Sequence, residues 1–240
     1  MSNGEREPRT GPVLAIFAHP DDAEIAAGGL LAGWAAAGRA VHLLVLTNGD
    51  RGSSDPTASR TQLAATRKVE TESAAEVLGL SSVRILSIHD GELENAAAVR
   101  EAATRRVREV RAETVVSCDP TSVFFENRYY NHSDHRTAGW VALDSVFPGS
   151  GNPHFFGEHL GEGLEIQEVF DVWLGWTNEP NHVADVSATF ATKVDALARH
   201  VSQLTEGIRF FEESLREEAA EAGRKIGVAF AEEFRVLDLS

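Results

Sequence analysis

Two short clusters in this chain carry side chains that could bind a divalent cation and activate water. The first is Ala18-His19-Pro20-Asp21-Asp22-Ala23-Glu24, and the second is Asn131-His132-Ser133-Asp134-His135. Imidazole and carboxylate are ordinary ligands for Zn²⁺. A histidine and an aspartate three residues apart in a turn can face one ion, and Pro20 between them reduces the entropy lost in holding that geometry. Two adjacent carboxylates suit a division of labour, one binding the cation and the other facing the water. In the second cluster His132 and His135 are three apart, a ligand-like spacing on a helix capped by Asn131 or Ser133. Asp134 can orient a histidine by accepting its second N–H. Each cluster also has a plainer reading. Asp21 and Asp22 can cap a helix after a proline turn, and Glu24 suits a first helical turn for dipole reasons. Two histidines in a polar turn are commonly surface residues.

The elements around the clusters decide between these readings. Val13–Ala18, Val41–Leu46, Val83–Ile88 and Thr114–Cys118 are short continuous apolar runs of strand length. Between them, Ala23–Gly38, Arg60–Leu78 and Ala96–Arg111 read as helices, the second with Leu63, Val69, Ala74, Val77 and Leu78 facing inward. Alternating strands and helices predict βαβ units on a parallel sheet. Strands buried on both faces lose polar alternation, as these have. The predicted class is therefore α/β, a Rossmann-like three-layer fold with a mostly parallel sheet. In such a sheet the first and fourth strands are neighbours across the topological switch point, and ligands bind beyond their carboxyl ends. The two clusters follow those two strands, so they should meet in one His/Asp/His site with a position open to water.

Beyond Asp119 the pattern weakens. A strand near Val169–Leu174, helices over Val186–Leu204 and Ile208–Ala222, and a closing edge segment at the C-terminus are expected. Residues 1–10 read as a disordered lead-in and 11–240 as a single domain, with no internal repeat or long linker. The glycine-rich stretch Gly149–Gly163 reads as an active-site loop. The aromatic segments 121–130 and 154–159 are expected to shape a substrate pocket.

Composition narrows the function classes. The 240 residues include 22 Lys and Arg against 37 Asp and Glu, a net charge of −15. That balance argues against nonspecific nucleic-acid binding and against docking on an anionic membrane. Cys118 is the single cysteine, which excludes an internal disulfide framework and a multi-cysteine zinc site. No apolar run reaches membrane-spanning length, and Met1–Thr10 does not read as a secretory signal. A cytoplasmic protein is expected, with homo-oligomerisation left open. A nucleotide-binding enzyme is disfavoured, because neither Gly-x-G-x-x-Gly nor a Gly-x-x-x-x-Gly-Lys-Ser/Thr loop follows the first strand.

The motifs carry a resemblance. Ala-His-Pro-Asp-Asp-Ala-Glu with Gly28-Gly29, Leu46-Thr-Asn-Gly-Asp50, Arg67 with Glu70, Asp90-Gly91, and His-Ser-Asp-His with Arg136 and Ala138-Gly139 resemble the LmbE/PIG-L superfamily of zinc-dependent N-deacetylases (GlcNAc-PI de-N-acetylase-like). The resemblance implies an LmbE-like fold and removal of an acetyl group from an N-acetylglucosamine-type sugar or a related natural-product or thiol glycoside, the partner being that small molecule. It implies His19, Asp22 and His135 as ligands of Zn²⁺ or another divalent metal. Asp21 matches the general base, His132 the residue that stabilises the oxyanion, and Asp134 the partner that orients His132. Arg67 matches a substrate-contacting arginine; a surface arginine paired with Glu70 is the equally weighted alternative. Asp90 is expected to bind a sugar hydroxyl or to make a turn. Two rival functions stand beside this one: an amidase acting on a larger conjugate, and a non-catalytic metal-binding module of the same fold.

Overall fold

A computed structural model describes residues 9–204 and 207–240. The expected lead-in lies outside them for residues 1–8. Arg9 is placed: its Nε is 3.3 Å from Asp171 Oδ2 and its guanidinium lies over the Phe170 ring.

The first four strands form where the apolar runs predict them. They are β1 (Val13–Phe17), β2 (Val41–Thr47), β3 (Ser82–Ile88) and β4 (Thr114–Cys118), joined by α1 (Asp22–Ala36), α2 (Arg60–Leu78) and α3 (Ala97–Val110). The sharp ends of α2 have local causes. Ser59 Oγ accepts the Gln62 N–H at its start, and Gly79 closes it at φ 76°, a conformation glycine adopts without a Cβ clash. After β4 come a two-stranded hairpin, β5 (Phe124–Phe125) and β6 (Tyr129–Tyr130), then α4 (Ser133–Asp144) and the short α5 (Glu158–Gly161). The chain ends with β7 (Asp171–Gly175), β8 (His182–Asp185), α6 (Phe190–Leu197), α7 (Ile208–Ile226) and β9 (Ala231–Asp238).

The seven-stranded sheet has the order β3-β2-β1-β4-β7-β9-β8. β1 pairs in parallel with both β2 and β4, so the switch point falls between the first and fourth strands as expected. Successive residues of β1 serve opposite layers. Leu14 and Ile16 join the core under α3 and α4, with Val99, Ala103, Val107, Ala138 and Val141. Val13, Ala15 and Phe17 join the core under α1, with Ala23, Ala27 and Leu31. Both faces of the strand are thus covered, which is the physical reason for its uninterrupted apolar run.

Several expectations change. β9 is not an edge segment: it lies antiparallel between β7 and β8, and β8, absent from the sequence reading, forms the edge. The expected helix over 186–204 is split into α6 and a single turn at Val201–Gln203. Val69 does not face inward: it is 64% exposed, and Arg67, Thr71, Ala74, Ala75 and Leu78 form the buried stripe of α2. The stretch 149–163 is not at the strand ends that carry the site. It wraps around Arg108 near the end of α3, and Gln167 ties it to Ser150 O and Ala112 O, just before β4 begins. The segment 154–159 lies there with it, away from the pocket it was expected to shape.

Candidate active site

The turn after β1 and the start of α4 converge. Ring centroids are 4.8 Å apart for His19 and His132, 5.1 Å for His19 and His135, and 5.4 Å for His132 and His135. Asp22, the first residue of α1, sits between two of the rings: its Oδ2 is 3.4 Å from His19 Nδ1 and its Oδ1 is 3.2 Å from His135 Nε2. The His19 backbone N–H also donates to Asp22 Oδ2, fixing the carboxylate. Close packing of α4 on β4 brings the second cluster this near. A Cβ on Gly139 would collide with Cys118 O and Pro120, so a side chain there would hold the helix off.

The donors fit a divalent cation. The ligand atoms of His19, Asp22 and His135 lie within 4.8 Å of one another. Ligands about 2 Å from a tetrahedral ion stand roughly 3.3 Å apart, close to the two distances from Asp22. His135 is pre-set for this role. Asn131 Nδ2 donates to Ser122 O, which turns Asn131 Oδ1 towards His135 Nδ1 at 2.9 Å. The ring proton then sits on Nδ1 and leaves Nε2 as the free lone pair. A second group, His19 with His132 and Asp134, is also compact. Its donors are engaged within the protein, however: Gly91 N–H donates to Asp134 Oδ2, and the Asp134 backbone N–H donates to His132 Nδ1.

That last bond makes His132, and not Asn131 or Ser133, the cap of α4. It also places the His132 proton on Nε2. The Asp134 carboxylate makes no hydrogen bond to His132. It lies 3.4 Å from His19 Nε2, with Asp90 Oδ1 3.1 Å from the same nitrogen. The carboxylates of Asp90 and Asp134 thus face His19, whose Nε2 completes no hydrogen bond among the described residues. Asp90 is held there from behind: its backbone N–H donates to Asp50 Oδ1, and Asp50 Oδ2 bonds His89 and Arg60.

Arg67 is 3% exposed and does not pair with Glu70. Its guanidinium donates to Gly49 O at 3.1 Å and to Pro20 O, and lies 3.3 Å from Asp21 Oδ1. Gly49, at φ 61°, leaves the guanidinium room that any Cβ would occupy. Glu70 instead accepts from the Ser202 N–H and hydroxyl. Asp21 has φ 100° and ψ −23°, a left-handed conformation that is costly for a residue other than glycine.

The electrostatics are those of a carboxylate-rich pocket. Burial opposes a charge on His19, yet Asp22, Asp134 and Asp90 push its pKa up to about 12. Burial also works against charge on Asp22, but His135 and His19 hold it far below the usual carboxylate range. For Asp21 burial prevails over Arg67 and pushes it up to about 6. Burial, reinforced by His19, lowers His132. So much negative charge on so few donors is what a cation would neutralise.

Some site neighbours carried no readable signal. Asn131 was legible only as a possible cap. Trp176, at φ 50°, lies 4.8 Å from the His135 ring and comes from the end of β7. Glu24 and His200 face each other in the interior, His200 Nε2 3.6 Å from Glu24 Oε2. The aromatic run 121–130 forms the β5–β6 hairpin next to His132, with Phe124, Tyr129 and Tyr130 exposed.

Comparison with known proteins gives the family and the fold. Residues 14–146 match the family "PIG-L: GlcNAc-PI de-N-acetylase". A diacetylchitobiose deacetylase of Thermococcus kodakarensis is 33% identical over 224 residues, covering 93% of this chain and 82% of that enzyme. A 1D-myo-inositol 2-acetamido-2-deoxy-alpha-D-glucopyranoside deacetylase of Rhodococcus opacus is 28% identical, covering 80% of this chain and 82% of that enzyme. Among solved structures, N,N'-diacetylchitobiose deacetylase from Pyrococcus horikoshii, complexed with an inhibitor, superposes with a TM-score of 0.87 at 32% identity, covering 95% of this chain and 84% of that one. The fold and site define an enzyme of the N-deacetylase class. The chain belongs to the PIG-L (LmbE) family.

Proposed function

We propose that the protein hydrolyses the acetamide of an N-acetylglucosamine-type sugar, with a divalent cation, Zn²⁺ by its donor set, held by His19, Asp22 and His135. The observation that carries this reading is the convergence of those three donors with Asp21 and His132 on either side. When bound, the cation would polarise the acetyl carbonyl and lower the pKa of a water.

This chain's residues supply the rest. Asp21, oriented by Arg67, takes the proton of the attacking water. His132 presents Nε2–H to the oxygen that becomes negative as the carbonyl carbon turns tetrahedral. Asp134 supports this from its backbone N–H, which fixes the tautomer. When the C–N bond breaks, the proton held on Asp21 passes to the leaving amine, and acetate is released. Asp90 and Asp134 face the His19 ring at Nε2 and leave Nδ1 to the cation. In this reading Arg67 positions the base in place of the substrate contact that the resemblance implies. The relatives' disaccharide and inositol glycoside substrates set the class to test first. No helix among the described residues is long and apolar enough to cross a membrane.

The test is metal analysis of the purified protein together with amine release from N-acetylated mono- and disaccharides, inositol glycosides and larger amide conjugates. One divalent metal per chain and amine release from acetylated sugars are expected. Amine release confined to larger conjugates would make the protein an amidase, and bound metal without any hydrolysis would make it a binding module.

A further inference from the structure

Two ionisable side chains that this reaction does not use lie wholly buried behind Asp21. Glu24 and His200 are both 0% exposed. His200 Nε2 stands 3.6 Å from Glu24 Oε2, outside hydrogen-bond range. Both carboxylate oxygens, both ring nitrogens and the neighbouring Arg67 Nε find no hydrogen-bond partner among the described residues. A buried polar group left unpaired costs on the order of 1–3 kcal/mol. Replacing a buried ion pair by apolar residues of similar volume is often neutral or stabilising. Stability alone therefore gives no reason for this pair.

Its surroundings give one. Glu24 is one turn along α1 from Asp21, whose carbonyl accepts the N–H of Ile25, the residue next to Glu24. Asp21 holds a left-handed conformation that persists only where neighbours over-determine it. Arg67 fixes it from one side through Pro20 O and the carboxylate. On the other side, the segment carrying His200 is fastened at two points. Ser202 donates twice to Glu70 on α2, the helix that carries Arg67. Lys193 on α6 donates to Ile25 O, immediately after Glu24. The pair thus spans α1 and the segment after α6, each anchored independently of it.

We propose that Glu24 and His200 form a buried brace that holds Asp21 in its working orientation: they are positioning residues, acting through the base. This rests on the reading of Asp21 as the general base. The experiment compares the metal-loaded wild type with the double variant Glu24→Leu/His200→Leu and with the near-isosteric Glu24→Gln, which guards against a folding failure of the first. The double variant is expected to keep its melting temperature or gain on it, keep its metal, keep KM within about twofold, and lose kcat by roughly 10–100-fold, the scale of a misplacement of about 1 Å. Glu24→Gln shows the same split at about tenfold. In an Asp21→Asn background the double variant costs nothing further, because the brace acts only through Asp21. Amide exchange at Asp21 and Asp22 accelerates in the double variant, a readout that holds even if no acetylated sugar is turned over. A lower melting temperature with unchanged kcat and unchanged exchange would overturn the proposal and leave an ordinary core pair. Parallel loss of metal would instead make the two residues part of the ligand scaffold.

Discussion

The molecule buries charge at both ends of its parallel sheet, and the two ends treat it differently. At the amino end of β4, Arg108 on α3 is 2% exposed and saturated. Its Nε donates to Ser150 O, and its Nη atoms donate to the carbonyls of Gly149, Asn152, Phe155 and Phe156 and meet His159 Nδ1. His159 in turn bonds Glu101 through Nε2 at 2.6 Å. Every donor has an acceptor, and the irregular segment 149–159 folds around them. At the carboxyl end, Asp22, Asp90 and Asp134 crowd the rings of His19 and His135, Asp21 holds a strained backbone, and several buried polar atoms have no hydrogen-bond partner among the described residues. A saturated cluster stabilises; an under-satisfied one is poised to take up something from outside. Burial of charge does not by itself mark a site, and neither does an isolated unpartnered atom such as Thr104 Oγ1 or Trp173 Nε1; a cluster of under-satisfied, ligand-type side chains does.

Four substitutions test that contrast. Asp22→Ala or His135→Ala has the largest effect: metal occupancy and amine release fall together to background, read by elemental analysis beside the activity assay. Metal retained at full stoichiometry would refute the ligand assignment. Asp21→Asn follows, with turnover lowered by about 10²–10⁴, the usual worth of a general base. Metal content and melting temperature hold, since asparagine tolerates the left-handed conformation, and normal turnover would remove Asp21 as the base. Arg108→Met addresses the other end. It strands a row of buried carbonyls, costing about 3 kcal/mol or more, which is roughly 6–12 °C in Tm for a domain of this size. Its kcat on folded protein stays at the wild-type value, and a loss of kcat there would dissolve the distinction between the two ends.

The smallest effect concerns pH. Burial opposes charge on Glu101, but His159 and Arg105 hold its pKa below the ordinary carboxylate range. A depressed folded-state pKa contributes stability that is present above the unfolded value, near 4.5, and is lost as pH falls below it. Glu101→Gln should therefore lower Tm modestly at pH 7 and flatten its decline on acidification, so that variant and wild type converge at low pH. An unchanged slope would mean that the carboxylate does not support the Arg108 cluster.

Local chemistry made much of the molecule legible. The β1–α1–β2–α2–β3–α3–β4 succession was readable because β1, β2 and β4 are buried on both faces and α1 and α2 run into glycines, Gly38 and Gly79. The two clusters were readable because β1 and β4 are obligatory neighbours in a sheet of this winding. The sequence was less informative where an element's role depends on a distant partner. β9 reads like an edge strand, and only pairing with β7 and β8 makes it internal. Gly149–Gly163 reads like a site loop, and only Arg108 shows that it is folded around a guanidinium. Val69 looks inward by periodicity, but the buried stripe of α2 is set by Arg67 reaching the turn after β1.

By itself, then, the sequence determined the alternating elements, the switch point and the residues able to bind a cation and move a proton, because these follow from local pattern and a fixed strand order. Tertiary structure alone decided which ring nitrogen each histidine offers, that Asp134 and Asp90 attend His19, that Arg67 holds Asp21, and that Glu24 meets His200. Those choices depend on the direction of side chains brought together from distant segments, and direction is set by packing.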